Sequence, residues 1–529
     1  MKTTLPLTGE QTRAIEAIAR GGDVIAIEAL AGTGKTTTLE QAARRLGQHG
    51  TYITFNKRNQ VEAEGRFPST FQCRTAHSLA FDAVGYHYRR RLNDRRRPES
   101  ASIAALLGCN KTELKLAGHT VDGVQLAVMA WHAVERFIKT ADGQLTAKHV
   151  ESPDHLSSLD RRELKKAVLP LAKKAWRDLK KYTGKLPFSH DAYLKLWQLT
   201  DPEIPGDVIF FDEAQDADPV MLAVVNRQSA QRVFVGDRFQ AIYEWRGAVN
   251  AMESVTAQDT SQLTESFRFG PAIAAEANRY LSLLGSRHSL KGRGSPQSRV
   301  GPVTRPDVVL SRTNATAIRG IEDALDASLA PALVGGTQDL IEFAHSAARL
   351  QGGGVAQHGW LRPYRRWGDV LAHVSSGEHA TGEFATMVRL VEERGPKRLL
   401  YVLRRCVNEK QADRVFSTAH KSKGREWDSV RIASDFETGK PAPEELRLLY
   451  VALTRAKREL DCSALPTPPR AAGRSDRRGD RRQSNKDLAA QVRALGLSPS
   501  GQTWSIAKEL QRAGHPISKA SIEAAKRAM

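Results

Sequence analysis

A short apolar run, Asp23–Ile27, leads into the turn Ala29-Leu-Ala-Gly32-Thr-Gly34-Lys35-Thr36, and a helical pattern, Thr37–Leu46, begins directly after it. A strand that gives way to a helix through two closely spaced glycines leaves few folds open. The strand belongs inside a sheet, and the helix packs back across its face. Glycines in such a turn let backbone N–H groups close around a phosphate chain, and the helix N-terminus behind them adds partial positive charge. The residues expected to hold phosphate are Gly32, Thr33, Gly34, Lys35, Thr36 and Thr37. Lys35 would pair with the β and γ phosphates, and the Thr36 hydroxyl would ligate Mg²⁺. Ala29 occupies the first motif position, where glycine is common. Glycine-rich turns also precede helices that bind nothing, but Gly-Lys-Thr in this strand–loop–helix context predicts a phosphate site.

A second segment, Val208-Ile-Phe-Phe211-Asp212-Glu213-Ala-Gln215-Asp216, ends an apolar strand in carboxylates. That places Asp212 at a sheet edge, where a triphosphate's Mg²⁺ would sit. Glu213, next in line, is suited to take a proton from an attacking water. A solvated acidic turn is the plainer reading of this segment alone. Together with the glycine turn it predicts an ATPase using ATP and Mg²⁺.

Similar apolar runs recur at Thr51–Phe55, Asp207–Phe211, Arg232–Val235, Asp307–Leu310, Arg414–Ser417 and Val430–Ala433, with helical patterns between them. This alternation predicts an α/β chain with parallel sheets covered by helices. Two regions depart from it. Residues 82–200 read as a basic helical insert, with arginines at Arg89–Arg91 and Arg95–Arg97 and the run Lys173-Lys174-Ala-Trp176-Arg177. Residues 466–487 are rich in Gly, Ser, Arg and Asp and read as a disordered basic linker. Beyond it, Thr503–Gly514 and Ser518–Met529 have the spacing of two short helices around a glycine turn. That tail fits a small helix-turn-helix-like module or a partner-binding or solubilising tail.

With 529 residues, several compact units are expected, and a formal net charge of +20 points to a polyanionic partner. Charge alone does not separate a nucleic-acid binder from an Arg-rich soluble surface. No stretch looks like a membrane anchor, and Met1–Arg13 lacks a basic segment followed by an apolar one, so secretion is not indicated. Cys73, Cys109, Cys406 and Cys462 are far apart and read as thiols of a reducing cytosol. The expected location is cytoplasmic, in a bacterial or phage-infected cell, at the nucleoid.

Further segments carry a family resemblance. Leu7-Thr-Gly-Glu-Gln11 precedes the glycine turn; Ile53-Thr-Phe55-Asn-Lys57 and Thr75-Ala-His77-Ser-Leu79 follow it. After the acidic box comes Val235-Gly-Asp237-Arg-Phe-Gln240-Ala-Ile-Tyr243-Glu-Trp245-Arg246-Gly-Ala248. Leu263-Thr-Glu-Ser-Phe267-Arg268-Phe-Gly270 and Ser311-Arg-Thr-Asn314 are next. Ser417-Thr418-Ala-His420-Lys-Ser-Lys-Gly424-Arg-Glu426-Trp427-Asp428 and Tyr450-Val-Ala-Leu-Thr454-Arg455-Ala-Lys457 close the set. In order and content these resemble the superfamily 1A helicases UvrD, PcrA and Rep, and within them the F-box DNA helicase branch. The resemblance spans about Leu7 to Leu460.

The resemblance implies roles. Gln11 would read adenine, Phe267 would stack on it, and Glu426 would contact the ribose. Gln240 would sense the γ phosphate. Arg268 and Arg455 would neutralise charge in the transition state, with an arginine supplied from a second domain so that closure is linked to turnover. Phe55, His77, Tyr243, Trp245, Arg246, Thr418 and His420 would line a single-stranded DNA channel, where flat rings stack on any base. Read alone, Phe55 or Trp245 fits core packing and each arginine fits a surface ion pair.

The implied architecture is two RecA-like parallel-sheet domains of the P-loop NTPase type with helical insertions. The first covers 1–81 plus 201–269, interrupted by the basic insert 82–200. The second covers 270–465, with a reduced insert near 340–410. The implied function is an ATP-dependent DNA helicase or translocase with 3′→5′ movement, in repair, recombination or replication. Its partners would be single-stranded DNA and single-strand–duplex junctions, with a recombinase filament or a single-strand-binding protein as a further one. A protein-stripping translocase and a nucleotide-switched DNA-binding protein are the alternatives. Three departures stand out. The stretch between Asn314 and Thr418 is shorter than in the large bacterial members. Arg425 replaces a common leucine. No F-box segment precedes Leu7, so no ubiquitin-ligase role is expected. Nor does a nuclease-like carboxylate cluster follow Leu460.

Overall fold

A computed structural model describes residues 6–54, 56–94, 100–116, 119–152, 156–244, 247–293, 297–362, 364–375, 383–437 and 441–465. The expected linker and tail lie outside the described residues, as do Phe55, Arg95–Arg97, Trp245 and Arg246.

Continuous apolar runs become the middle of a parallel sheet, because a strand covered by helices on both faces has no side turned to water. Across the first sheet the strands are Phe71–Thr75, Gly50–Thr54, Val208–Asp212, Gln231–Gly236, Val24–Ala29 and Asp259–Leu263, all parallel. Gly50–Thr54 and Val208–Asp212 are buried at every position. Register pairs Ile53 with Phe211, Asp212 with Val235, and Glu28 with Gly236. The C-terminal ends of these strands therefore share one edge, where loops of an open parallel sheet bind ligands.

Between Thr75 and Val208 the chain builds a separate apolar core, in which Phe137, Val168, Trp176 and Leu179 are buried. Helices Gly123–Ile138 and Ser158–Leu179 frame it. Two features differ from the basic helical reading. Glu113–Leu116 and His119–Asp122 pair as an antiparallel hairpin, whose four-residue strands are too short to register as a pattern. Arg91 is buried, donating to the carbonyls of Leu179 at 2.8 Å and Leu186 at 2.7 Å. It ties off the end of a helix, whose last carbonyls lack intrahelical donors.

The second sheet runs Arg299–Val300, Ala456–Asp461, Trp427–Ile432, Val308–Ser311, Arg414–Thr418 and Pro331–Leu333, again all parallel. Helices Gln338–Gln351, Trp367–Ser375 and Glu383–Arg404 share one core with Asn314–Asp326 and with Phe416 of the sheet. The segment near 340–410 thus packs onto the second sheet's own helix layer. Leu30, Ala31 and Ile242, from loops of the first sheet, lie in the same apolar core as Phe269, Tyr450 and Val451. That shared core brings the two sets of motifs face to face.

Candidate active site

The helix Lys35–Leu46 starts from Gly34 at φ 79°, ψ 35°, with no side chain capping its first turn, so its leading N–H groups are left for a ligand. Gly32 has φ +73°, and a Cβ there would meet Ser266 Oγ at 2.5 Å and Arg268 Cβ at 2.7 Å. A Cβ on Gly34 would meet Gln11 Nε2 at 2.8 Å and the Phe267 ring at 3.6 Å. Both positions need the left-handed backbone and the missing side chain. The Thr33 hydroxyl closes the turn on Leu30 O at 2.8 Å, and Thr37 Oγ1 accepts from Arg66 at 2.9 Å. Thr36 Oγ1 instead reaches Asp212 Oδ2 at 3.2 Å.

Asp212 ends its buried strand and is 4% exposed. Its Oδ2 also accepts the Tyr52 hydroxyl at 2.6 Å, and its Oδ1 accepts Glu213 N–H at 2.8 Å. Burial, and then the Glu213 charge, push the Asp212 carboxyl up, against Lys35 and Tyr52. Glu213 sits at φ 55°, ψ 41°, a costly conformation for a residue with a side chain and typical of functional sites. Burial alone would raise its carboxyl. Lys35, Lys423, Gln215 and Arg455 outweigh burial and bring it to about 2. Lys35 Nζ lies 3.8 Å from Glu213 Oε1, and Gln215 Nε2 donates to Oε2 at 2.5 Å.

Opposite this wall, Gln240 is held on both sides: its Nε2 donates to Asp237 Oδ2 at 2.7 Å, and its Oε1 accepts Arg455 Nη2 at 3.2 Å. Arg455 is 2% exposed and also donates to Val451 O at 2.8 Å. Burial, then the Arg268 charge, pull its guanidinium down to about 9. Arg268 donates to Glu426 Oε2 at 2.8 Å and to Thr454 O at 2.9 Å. Phe267 is anchored by its N–H on Gly32 O at 2.8 Å, and the Arg293 guanidinium lies 4.7 Å from its ring centre. Gln11 Oε1 caps its own helix by accepting Thr8 N–H at 3.0 Å, so Nε2 faces Gly34 and Phe267. Of the residues singled out by sequence, Gln11, Gly32, Gly34, Lys35, Thr36, Asp212, Glu213, Gln240, Phe267, Arg268, Glu426 and Arg455 thus cluster around one loop. Thr33 and Thr37 have hydroxyls engaged within the fold.

The residues expected along the strand channel are less uniform. His77 is partly exposed, with Nε2 3.4 Å from Asp191 and its ring edge-on to Tyr193. Tyr243 donates to His420 O at 3.1 Å, and Lys423 Nζ lies 5.1 Å from the Tyr243 ring centre. Thr418 is buried and caps the turn Ala419–Ser422 by accepting Lys421 N–H at 3.3 Å. Its hydroxyl is therefore spent on the loop. Three residues not singled out by sequence join the site: Tyr52, Lys423, which bridges Asp216 and Gln240 O, and Tyr450, which reaches Asp237. Lys423 and Tyr450 lie inside motifs already read, so only their roles were missed. Tyr52 lies inside the apolar run Thr51–Phe55, which marks a strand but not a hydroxyl for the site.

Residues 11–246 match the AAA domain family, and residues 414–460 match the UvrD-like helicase C-terminal domain family. The chain is 32% identical over 507 residues to F-box DNA helicase protein 1 of Schizosaccharomyces pombe, covering 86% of this chain and 57% of that one. It is 31% identical over 504 residues to F-box DNA helicase 1 of Gallus gallus, covering 85% and 48%. The chain thus spans about half the length of these curated relatives. Their sources give a bacterial or phage setting no support. A solved structure titled "The structure of PRRSV helicase" aligns at TM-score 0.31 and 12% identity, over 87% of this chain and 57% of that one, too loosely to add to the fold. Among the described residues, no helix is long and apolar enough to cross a membrane. With both segments matched in order and identity running along most of its length, this chain is similar to UvrD-like helicases, through an AAA domain and a UvrD-like helicase C-terminal domain.

Proposed function

We propose that the chain is an ATP-dependent motor on single-stranded DNA that separates strands at single-strand–duplex junctions. One observation carries this reading: a complete hydrolytic set, Lys35, Thr36, Asp212, Glu213, Gln240, Arg268 and Arg455, converges on one phosphate loop. It is drawn from both sheets, since Arg455 follows the second sheet's helix Pro443–Leu453.

The residues fit a magnesium nucleotide. Thr36 Oγ1 and Asp212 Oδ2 are hard oxygens 3.2 Å apart, the kind of pair that holds Mg²⁺ beside phosphate oxygens. Gly32 and Gly34 leave a cradle that side chains would fill. Mg-ATP, when bound, supplies the γ-phosphoryl group whose transfer to water drives the cycle. Lys35 turns from Glu213 to the phosphates, which frees Glu213 to orient water and accept its proton. Arg268 and Arg455 exchange Glu426 and Gln240 for the developing negative charge. Phe267 and Gln11 hold the base, and Glu426 is released toward the ribose. Because Arg455 approaches from the second sheet, each turnover opens and closes the cleft between the sheets.

On the DNA side, Phe55, His77, Tyr243, Trp245, Arg246 and His420 contact the strand, with Thr418 shaping the loop that carries His420. The same reading divides the chain into 1–81 plus 201–269, an insert 82–200, and 270–465. Movement 3′→5′ and a place in DNA repair, recombination or replication rest on the motif resemblance alone. A recombinase filament or single-strand-binding protein coating the same strand would be the obstacle the motor meets.

ATP turnover measured with and without single-stranded DNA tests the motor. Strand displacement on 3′-tailed and 5′-tailed duplexes tests unwinding and polarity. Turnover that DNA does not raise would refute the motor and favour a nucleotide switch. DNA-stimulated turnover without displacement would favour a protein-stripping translocase.

A further inference from the structure

Tyr450 lies on helix Pro443–Leu453 and is fully buried, yet its hydroxyl has two polar partners. It accepts Ala31 N–H, in the phosphate loop, at 3.0 Å, and it lies 3.0 Å from Asp237 Oδ2. A backbone N–H can only donate, so the phenol proton is directed at the Asp237 carboxylate. That same oxygen accepts Gln240 Nε2 at 2.7 Å, and Gln240 Oε1 accepts Arg455 Nη2 at 3.2 Å. One buried chain of hydrogen bonds therefore runs from the phosphate loop through Tyr450, Asp237 and Gln240 to Arg455. Asp237 Oδ1 is occupied separately by Phe239 N–H at 3.1 Å.

This arrangement poses a problem for any residue that must turn toward a third phosphate. If Gln240 leaves Asp237, a carboxylate that is 1% exposed loses a donor at Oδ2, and an unpaired buried charge is expensive. The Tyr450 hydroxyl is the other donor at that oxygen. A phenylalanine would fill the same ring space, so packing does not account for the hydroxyl.

We propose that Tyr450 is a positioning residue that lets Gln240 exchange Asp237, and Arg455 exchange Gln240, for the γ phosphate, so that loop, sensor and arginine respond to the third phosphate together. This rests on the motor reading for its purpose, but its test does not need hydrolysis. Full-length wild type, Tyr450→Phe, Asp237→Asn and the double variant are compared for binding of fluorescent ATPγS and ADP, each with Mg²⁺. ATP turnover with single-stranded DNA is measured alongside.

Tyr450→Phe is expected to lose about tenfold or more of the preference for triphosphate over diphosphate, the scale of one hydrogen bond to a charged group. ADP affinity should stay within about twofold. Asp237→Asn, which removes the shared negative charge and turns one of the two acceptor oxygens into a donor, should show the same selective loss, and the double variant should lose little more than either single one. Equal weakening of both nucleotides, additive losses in the double variant, or a wild type without triphosphate preference would each overturn the proposal. Should Tyr450→Phe fail to fold, Asp237→Asn alone decides: a selective triphosphate loss supports the relay, and unchanged preference overturns it. A wild type that discriminates the nucleotides in this pattern, yet shows no DNA-stimulated turnover, would refute the motor reading and leave the relay standing.

Discussion

Tyr52→Phe removes a single hydrogen bond, from the Tyr52 hydroxyl to Asp212 Oδ2 at 2.6 Å, and little else. The ring is 1% exposed and packs against Phe67 with centroids 4.5 Å apart, and a phenylalanine keeps both. What changes is the carboxylate. Oδ2 is shared by Tyr52 and Thr36, so Tyr52 keeps one lone pair and leaves the other, where Thr36 lies, for a metal. Without the hydroxyl, Asp212 is held only by Glu213 N–H and Thr36 and is free to rotate off the metal position. A hydrogen bond to a charged group is worth about 1.5–3 kcal/mol. Loss of such an outer partner of a metal ligand weakens metal binding about 10–100-fold. Titrating Mn²⁺ in the presence of ADP, followed by electron paramagnetic resonance, should show that weakening directly. The Mg²⁺ needed for half-maximal ATP turnover should rise by the same factor, while turnover at saturating Mg²⁺ largely recovers. An unchanged or tighter Mn²⁺ affinity would refute the reasoning, as would a fall in turnover that no amount of Mg²⁺ restores.

Other perturbations test other parts of the site and fold. Glu213→Gln should keep ATP binding while DNA-stimulated turnover falls about 10²-fold or more, as for loss of a positioned base; near-normal turnover would show the base lies elsewhere. Gly32→Ala forces a methyl group to 2.5 Å from Ser266 Oγ at φ +73°, and should cost about 1–3 kcal/mol of stability and impair nucleotide binding, read by thermal melting and calorimetry. Arg91→Met strands the carbonyls of Leu179 and Leu186 and should lower stability by about 2–4 kcal/mol in denaturant titrations; a loss below about 0.5 kcal/mol would mean water replaces the guanidinium.

The phosphate loop and the acidic strand end were legible in sequence because each is a run of consecutive residues whose local geometry carries its chemistry. Ala29 to Thr36 encodes strand, turn and helix start together, and the apolar run Val208–Phe211 announces where Asp212 must emerge. Most interior strands were legible for the same reason, although Trp427–Ile432 begins three residues before the run Val430–Ala433 and the interior strand Ala456–Asp461, with its charged side chains, was not read. Phe71–Thr75 and Asp259–Leu263 were not, since both are edges of the first sheet, and an edge strand keeps polar side chains where no helix or neighbour covers it. Basic composition in the insert did not reveal that Arg91 is buried as a clamp on helix carbonyls, because charge says nothing about which arginine the fold encloses. What only the tertiary structure decided is which groups satisfy one another. Tyr450 and Asp237 are 213 positions apart, Gln240 and Arg455 215, and Tyr52 and Asp212 160. Motif order could say that an arginine and a glutamine would face a phosphate. It could not say that they are paired with each other, or that a buried tyrosine joins them to the loop, because hydrogen-bond partners are chosen by three-dimensional proximity in a space closed to water.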